Sequence, residues 1–170
     1  KLLVEPDLII GDFDSHERVE TESETIIIKK KKDDTDSISG IKTALDRGFR
    51  DFLLIGMTGR RMDHALCNLY SLSFIKSHNG RGVLVDDWSE MEVVEKDEVF
   101  ISDSYAYFSL IAWKGKCEGV NIENALYPLS NAVIEPDYQY GISNEPLKGG
   151  SRVSVEKGSL LLIKDWKKEK

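Results

Sequence analysis

The sequence predicts an α/β protein: an N-terminal parallel-sheet α/β domain, Rossmann-like in its alternation, followed by a C-terminal antiparallel β-sandwich domain. Two patterns predict it. Up to about residue 90, short aliphatic runs alternate with helix-like segments. From residue 91 onward, short alternating segments are broken roughly every 8–12 residues by Gly, Asn, Asp or Pro, with no amphipathic helix among them. The seam falls in "DDWSE", residues 86–90, giving domains of 1–88 and 89–170. With 170 residues the chain can bury a core in each.

The first half supplies four expected strands. "DLII" (7–10), "TIIIK" (25–29), "FLLI" (52–55) and "GVLV" (82–85) are continuous apolar runs of the kind that lie fully buried in a parallel sheet. Between the second and third, Ile38, Ile41 and Leu45 share a helical face, with Thr35 or Asp36 to cap its start and Gly48 to end it. Between the third and fourth, Met62, Leu66, Leu69 and Tyr70 form the apolar face of a second helix, with His64 and Asn68 on the opposite one. In the second half, "MEVVEKDEVFIS", "YAYFSLIAW", "GVNIE", "NAVIEP", "RVSVEKG" and "SLLLIKDW" read as strands.

Charge and cysteine content narrow the function. A formal charge of −7 offers no general surface for nucleic acid or anionic membranes, and the one basic run, Lys29 to Lys32, leads straight into acids. Cys67 and Cys117 have neither metal-ligand spacing nor the density of a disulfide scaffold, which points to a reducing cytoplasm. No apolar stretch approaches the ~20 residues that cross a bilayer.

The chemistry gathers where the strands end, which in a parallel sheet is where ligands bind. The first strand runs into Asp12 and Asp14, and the second into Asp33, Asp34 and Asp36. The third runs into "GMTGRRMDH", with Arg60, Arg61, Asp63 and His64, and the fourth into Asp86 and Asp87. Carboxylates packed this closely repel one another unless a cation, a proton or a basic side chain sits between them. Hard oxygen donors suit Mg²⁺ bridged to phosphate, arginine grips phosphate with two hydrogen bonds, and a glycine-bearing loop opening a helix brings N–H groups to an anion. The combination points to Mg²⁺-dependent phosphoryl chemistry.

Four motifs, "PDLIIGDFDS", "KDDTD", "GMTGRRMDHALCN" and "GISNE", stand in the order and approximate spacing of thiamine pyrophosphokinases, and the chain resembles that family over nearly its whole length. The resemblance implies an ATP-dependent transferase that gives thiamine diphosphate and AMP, working as a homodimer whose β-domain helps to hold thiamine. It implies that Asp12, Asp14, Asp33 and Asp36 handle Mg²⁺ and the phosphates of ATP. Arg61, Asp63, His64 and Asn68 match the G-R-x-D-H-x-x-x-N signature that faces ATP, while Ser143 and Asn144 match the pair that contacts thiamine. Asp36 or Asp63 is the expected proton acceptor, and one of Tyr127, Trp113, Trp88 or Trp166 the aromatic face for the thiamine cation. The chain departs from the family pattern in two places. Arg60 stands where a second glycine is usual, and the strand the family carries ahead of "PDLIIGD" is absent from this sequence. The rival readings are a Mg²⁺-dependent phosphatase of the haloacid-dehalogenase type, since "GDFDS" resembles its D-x-D signature, and a non-catalytic thiamine or nucleotide sensor.

Overall fold

The computed structural model describes residues 4–13, 21–28, 34–59 and 61–167. The expected metal ligands Asp14 and Asp33, and Arg60, lie outside them. The chain forms two compact units, Lys1–Arg50 and Asp51–Lys170.

In the first unit, β1 (Leu8–Gly11) and β2 (Glu24–Ile27) pair in parallel, Ile9 opposite Thr25 and Ile10 opposite Ile26. Helix α1 (Asp36–Asp46) begins where expected, because the Thr35 hydroxyl accepts a hydrogen bond from the Ile38 N–H at 3.3 Å. It buries Ile41 and Leu45 and stops at Gly48, whose φ of +92° takes the left-handed turn that L-residues avoid. A fork of two hydrogen bonds from Arg47 to Glu24, at 2.6 and 3.0 Å, ties the end of the helix to β2.

The second unit is built on a five-stranded sheet. Strands β3 (Asp51–Ile55) and β4 (Arg81–Val85) pair in parallel. The sheet then continues antiparallel through β5 (Ser89–Val94), β11 (Leu160–Trp166) and β7 (Tyr105–Ala112), in the order β3-β4-β5-β11-β7. The other strands, β6 (Val99–Ile101), β8 (Cys117–Glu123), β9 (Leu129–Ile134) and β10 (Ser151–Ser154), form an antiparallel sheet ordered β6-β10-β8-β9. The antiparallel strands expected in the second half are therefore present. The four expected parallel strands are present too, but among the described residues they form two parallel pairs, and the larger sheet is mixed. The "DDWSE" seam is a tight turn within that sheet, closed by the Asp86 N–H on the Ser89 carbonyl at 3.0 Å.

Period-two alternation sends this sheet's side chains into two cores. Leu160 and Leu162 join Phe108, Leu110, Ile101, Val120, Ile122, Ile134 and Val153 between the two sheets. Leu161 faces the other way, toward Leu84, Met91, Val93 and Leu72 of helix α2 (Met62–Ser77). The helix sits close to β4 at Gly82, where an added Cβ would lie 3.0 Å from Ile75 and 3.1 Å from Leu72.

Two expectations about burial are corrected. Of the expected face of α2, Leu69 packs against the core, but Met62, Leu66 and Tyr70 are exposed, at 71%, 46% and 52%, while Leu72, Ile75, Ser71 and Ser73 are buried. The helix is apolar on both sides, and the face bearing Leu72 and Ile75 is the one packed on β4 at Gly82. Strand β3 alternates as well, leaving Leu53 and Ile55 exposed instead of buried on both faces.

Candidate functional site

In the first unit, the turn after β1 brings Asp12 to the strand end. Gly11 closes the pairing through its carbonyl, which accepts the Ile28 N–H at 3.1 Å, and Asp12 follows half-buried. Phe13 then takes a φ of 55°, a left-handed conformation uncommon for a residue with a side chain. Asp36, in the first turn of α1, sets its Oδ2 3.6 Å from where a Cβ on Gly11 would stand, so its carboxylate lies against the residue that precedes Asp12. The positive end of the helix dipole favours an acid there. Asp34 is paired with Lys42 at 2.6 Å. Among the described residues no group of three His, Cys, Asp or Glu side chains is placed to hold a metal ion. Asp12 and Asp36 supply oxygen donors of the kind Mg²⁺ takes.

In the second unit, Gly56 turns the chain out of β3 with a φ of +71°, and the following loop leads to Arg61, the residue capping α2. Arg61 grips Asp63 through two hydrogen bonds, Nη2 to Oδ2 at 2.5 Å and Nε to Oδ1 at 3.2 Å, with both side chains largely in solvent. The guanidinium holds the Asp63 carboxyl well below the usual range, at about 2. His64 is exposed. Asn68 lies on the inner face of α2, where its amide donates to the Met57 carbonyl at 2.7 Å. This differs from the expected placement on the outer face beside His64.

Ser143 and Asn144 belong to a segment that runs along β7, with reciprocal bonds between Phe108 and Asn144 at 2.8 and 2.9 Å. The two side chains serve differently. Asn144 is 3% exposed, and its amide is occupied. Oδ1 accepts from the N–H groups of Tyr127 (3.0 Å) and Glu145 (2.9 Å), and Nδ2 donates to the Tyr127 carbonyl at 2.7 Å. Ser143 is exposed, at a φ of 57°, with its N–H donated to the Ser109 hydroxyl at 3.0 Å. Of the four aromatic candidates, Trp113 is stacked on Tyr70 at 4.3 Å and donates to Ser73 at 2.9 Å. Tyr127 is 63% exposed and held by Asn144 through its backbone, and Trp88 is equally open.

The family comparisons follow the same division of motifs. Residues 1–84 match the family described as thiamin pyrophosphokinase, catalytic domain, and residues 92–160 match the thiamin pyrophosphokinase, vitamin B1 binding domain. The chain belongs to the thiamine pyrophosphokinase family. A thiamine pyrophosphokinase of Bacillus subtilis (strain 168) is 28% identical over 167 residues, covering 91% of this chain and 76% of the relative. A crystal structure of the thiamine pyrophosphokinase from Bacillus subtilis is similar at TM-score 0.85 and 25% identity, covering 96% of this chain and 80% of that one. The protein from Geobacillus thermodenitrificans is similar at TM-score 0.82 and 25% identity, covering 96% and 79%. The Candida albicans enzyme shares the fold at 14% identity and TM-score 0.79, covering 96% of this chain and 74% of that one. The shared fold is a mostly-sheet α/β architecture with few helices.

Two acids fall outside both family matches: Asp86, one of the acids expected at the strand ends, and Asp165, which was not among them. Asp86 ends β4 and accepts the N–H groups of Trp88 and Ser89 at 2.9 Å each. Asp165, near the end of β11, lies opposite Ser89 and Tyr107. Burial first, then the charge of Asp86, raise its carboxyl above the usual range. A carboxyl raised on folding holds its proton more tightly in the folded state. Its contribution to stability is present below the unfolded pKa and is lost as pH rises through the folded pKa. Asp165→Asn should therefore raise Tm at pH 7 by a few degrees at most, with the gain vanishing below about pH 4. Thermal melts across that range test this, and a Tm unchanged or lowered at pH 7 contradicts it.

Proposed function

We propose that this family member transfers the pyrophosphoryl group of ATP to the hydroxyl of thiamine, releasing AMP, and that Asp12, Asp14, Asp33 and Asp36 hold the Mg²⁺ that the reaction requires. The observation that carries the reading is the succession of a catalytic-domain match and a vitamin B1 binding match along one chain. The placement of Asp36 against Gly11, the residue before Asp12, supports it. When bound, Mg²⁺ neutralises phosphate charge and aligns the nucleotide. A bond forms from the thiamine oxygen to the β-phosphorus, the bond from that phosphorus to the oxygen bridging toward the α-phosphate breaks, and AMP leaves with that oxygen.

The residues divide the remaining work. Arg61, now engaged by Asp63 in solvent, is free to exchange that carboxylate for phosphate oxygens and stabilise developing charge. Asp63, held at about 2, is a poor proton acceptor while Arg61 grips it. Asp36 is the better candidate to take the thiamine proton, through a carboxylate oxygen that does not hold the metal. His64 belongs with the ATP contacts, Ser143 is the direct thiamine contact in the β-domain, and Asn144 holds the backbone of Tyr127. In this reading, residues 1–88 act as a Rossmann-like nucleotide domain and residues 89–170 as a β-sandwich for thiamine, in a cytoplasmic homodimer. Among the described residues no helix is long and apolar enough to cross a membrane.

Incubation with ATP, thiamine and Mg²⁺, followed by chromatography, tests the proposal. AMP and thiamine diphosphate should accumulate in equal amounts and disappear with chelator. Free phosphate released from a simple phosphate ester, without AMP, would replace this reading with the phosphatase.

A further inference from the structure

We infer that Asn68 and Asp86 are positioning residues, which fix the loop after β3 so that Arg61 meets the phosphates in one geometry. The inference rests on the role of Arg61 proposed above. Two side chains from separate elements reach the loop. From α2, Asn68 Nδ2 donates to the Met57 carbonyl at 2.7 Å. From the end of β4, Asp86 Oδ2 accepts the Thr58 hydroxyl at 3.4 Å, a weaker bond.

Each brace is itself anchored. Asn68 stands one and two turns before Leu72 and Ile75, the residues that press α2 onto β4 at Gly82. Its amide therefore points into the protein and is used there. Asp86 is held through its other oxygen, which accepts the N–H groups of Trp88 and Ser89 and the Ser89 hydroxyl at 3.2 Å. Met57 packs against the core beneath α2. On its far side, Arg61 is fixed by the helix, its carbonyl accepting the Ala65 N–H at 3.0 Å. The loop is thus clamped at Met57 and Thr58 on one side of Arg61 and at the first turn of α2 on the other. Asn68 acts through backbone, not by touching nucleotide.

Steady-state kinetics and amide hydrogen exchange on Asn68→Ala, the near-isosteric Asn68→Asp, Thr58→Val and the Asn68→Ala/Thr58→Val pair test this. Loss of one hydrogen bond that positions a reacting group is expected to lower kcat by about tenfold, with KM for ATP within about twofold. Asn68→Asp, which keeps the shape but removes the donor, should be impaired as much as Asn68→Ala. The paired variant should lose less than the product of the single losses, because both braces serve one loop. Exchange at residues 56–59 should quicken in each Asn68 variant, a result that does not depend on turnover and so decides the brace even if the wild-type protein makes no thiamine diphosphate. A raised KM for ATP with kcat retained, strictly multiplicative losses and unchanged exchange would overturn the inference.

Discussion

Asp12→Asn is expected to suppress Mg²⁺-dependent AMP formation by several orders of magnitude while leaving the fold in place. The substitution keeps the size of the side chain at the end of β1 and removes its charge. A metal that stabilises phosphoryl charge is worth several kcal/mol in the transition state, which corresponds to on the order of 10²–10⁴ in rate. The parallel pairing of β1 with β2 runs through backbone bonds that the change does not touch, so circular dichroism and Tm should stay close to wild type. Raising Mg²⁺ should recover part of the activity if Asp12 binds the metal. Turnover that survives the substitution at ordinary Mg²⁺ would remove Asp12 from the reaction.

Lys164→Met should produce the largest loss of stability. Lys164 is 5% exposed and lies on β11 between two acids of β5. Its Nζ meets Glu92 at 2.7 Å and also Glu90, and it stands 5.4 Å from the centre of the Tyr105 ring. Burial works to raise the Glu90 carboxyl, but hydrogen bonds from Lys164 and Tyr105 outweigh it and lower it. Glu92 is 6% exposed, and its other cation, Arg81, stays 3.9 Å away. Removing the ammonium strands a buried carboxylate, which typically destabilises by about 3–5 kcal/mol, or on the order of 10 °C in Tm for a chain of this size. Adding Glu90→Gln and Glu92→Gln to Lys164→Met should recover much of the loss, since no buried charge is then left unpaired. A single variant that melts within about 2 °C of wild type would show that solvent reaches this cluster.

The parts of this fold legible in the sequence are those set by local chemistry. The Thr35 cap, the Ile41 and Leu45 face and the Gly48 stop of α1 each follow from residues within one or two turns. The β-branched and aliphatic runs marked all four strands of the first half. Their pairing was not legible, because register depends on partners far along the chain: β4 pairs in parallel with β3 and antiparallel with β5 through the same kind of residue. The buried face of α2 escaped for a related reason. The helix carries large apolar residues on both sides, and only the packing of Leu72 and Ile75 against β4 at Gly82 selects the buried one.

The candidate site divides along the same line. Asp12, Asp36, Arg61 and Asp63 stand in short motifs whose charge pattern shows in the sequence, and the structure sets Arg61 and Asp63 in direct contact. The buried, fully engaged amide of Asn144 could not be told from an exposed one by sequence. The proximity of Asp86 to Asp165 arises only when strands β5 and β11 pair, across a large separation in the chain.

A crystal structure with Mg²⁺ and a non-hydrolysable ATP analogue is the most direct test of where the metal is held. The expected result is carboxylate oxygens from the set Asp12, Asp14, Asp33 and Asp36 at about 2.0–2.1 Å from Mg²⁺, or one bridging water away, with phosphate oxygens completing its octahedron. Nucleotide and metal bound elsewhere on the chain, with these four acids facing solvent, would contradict it.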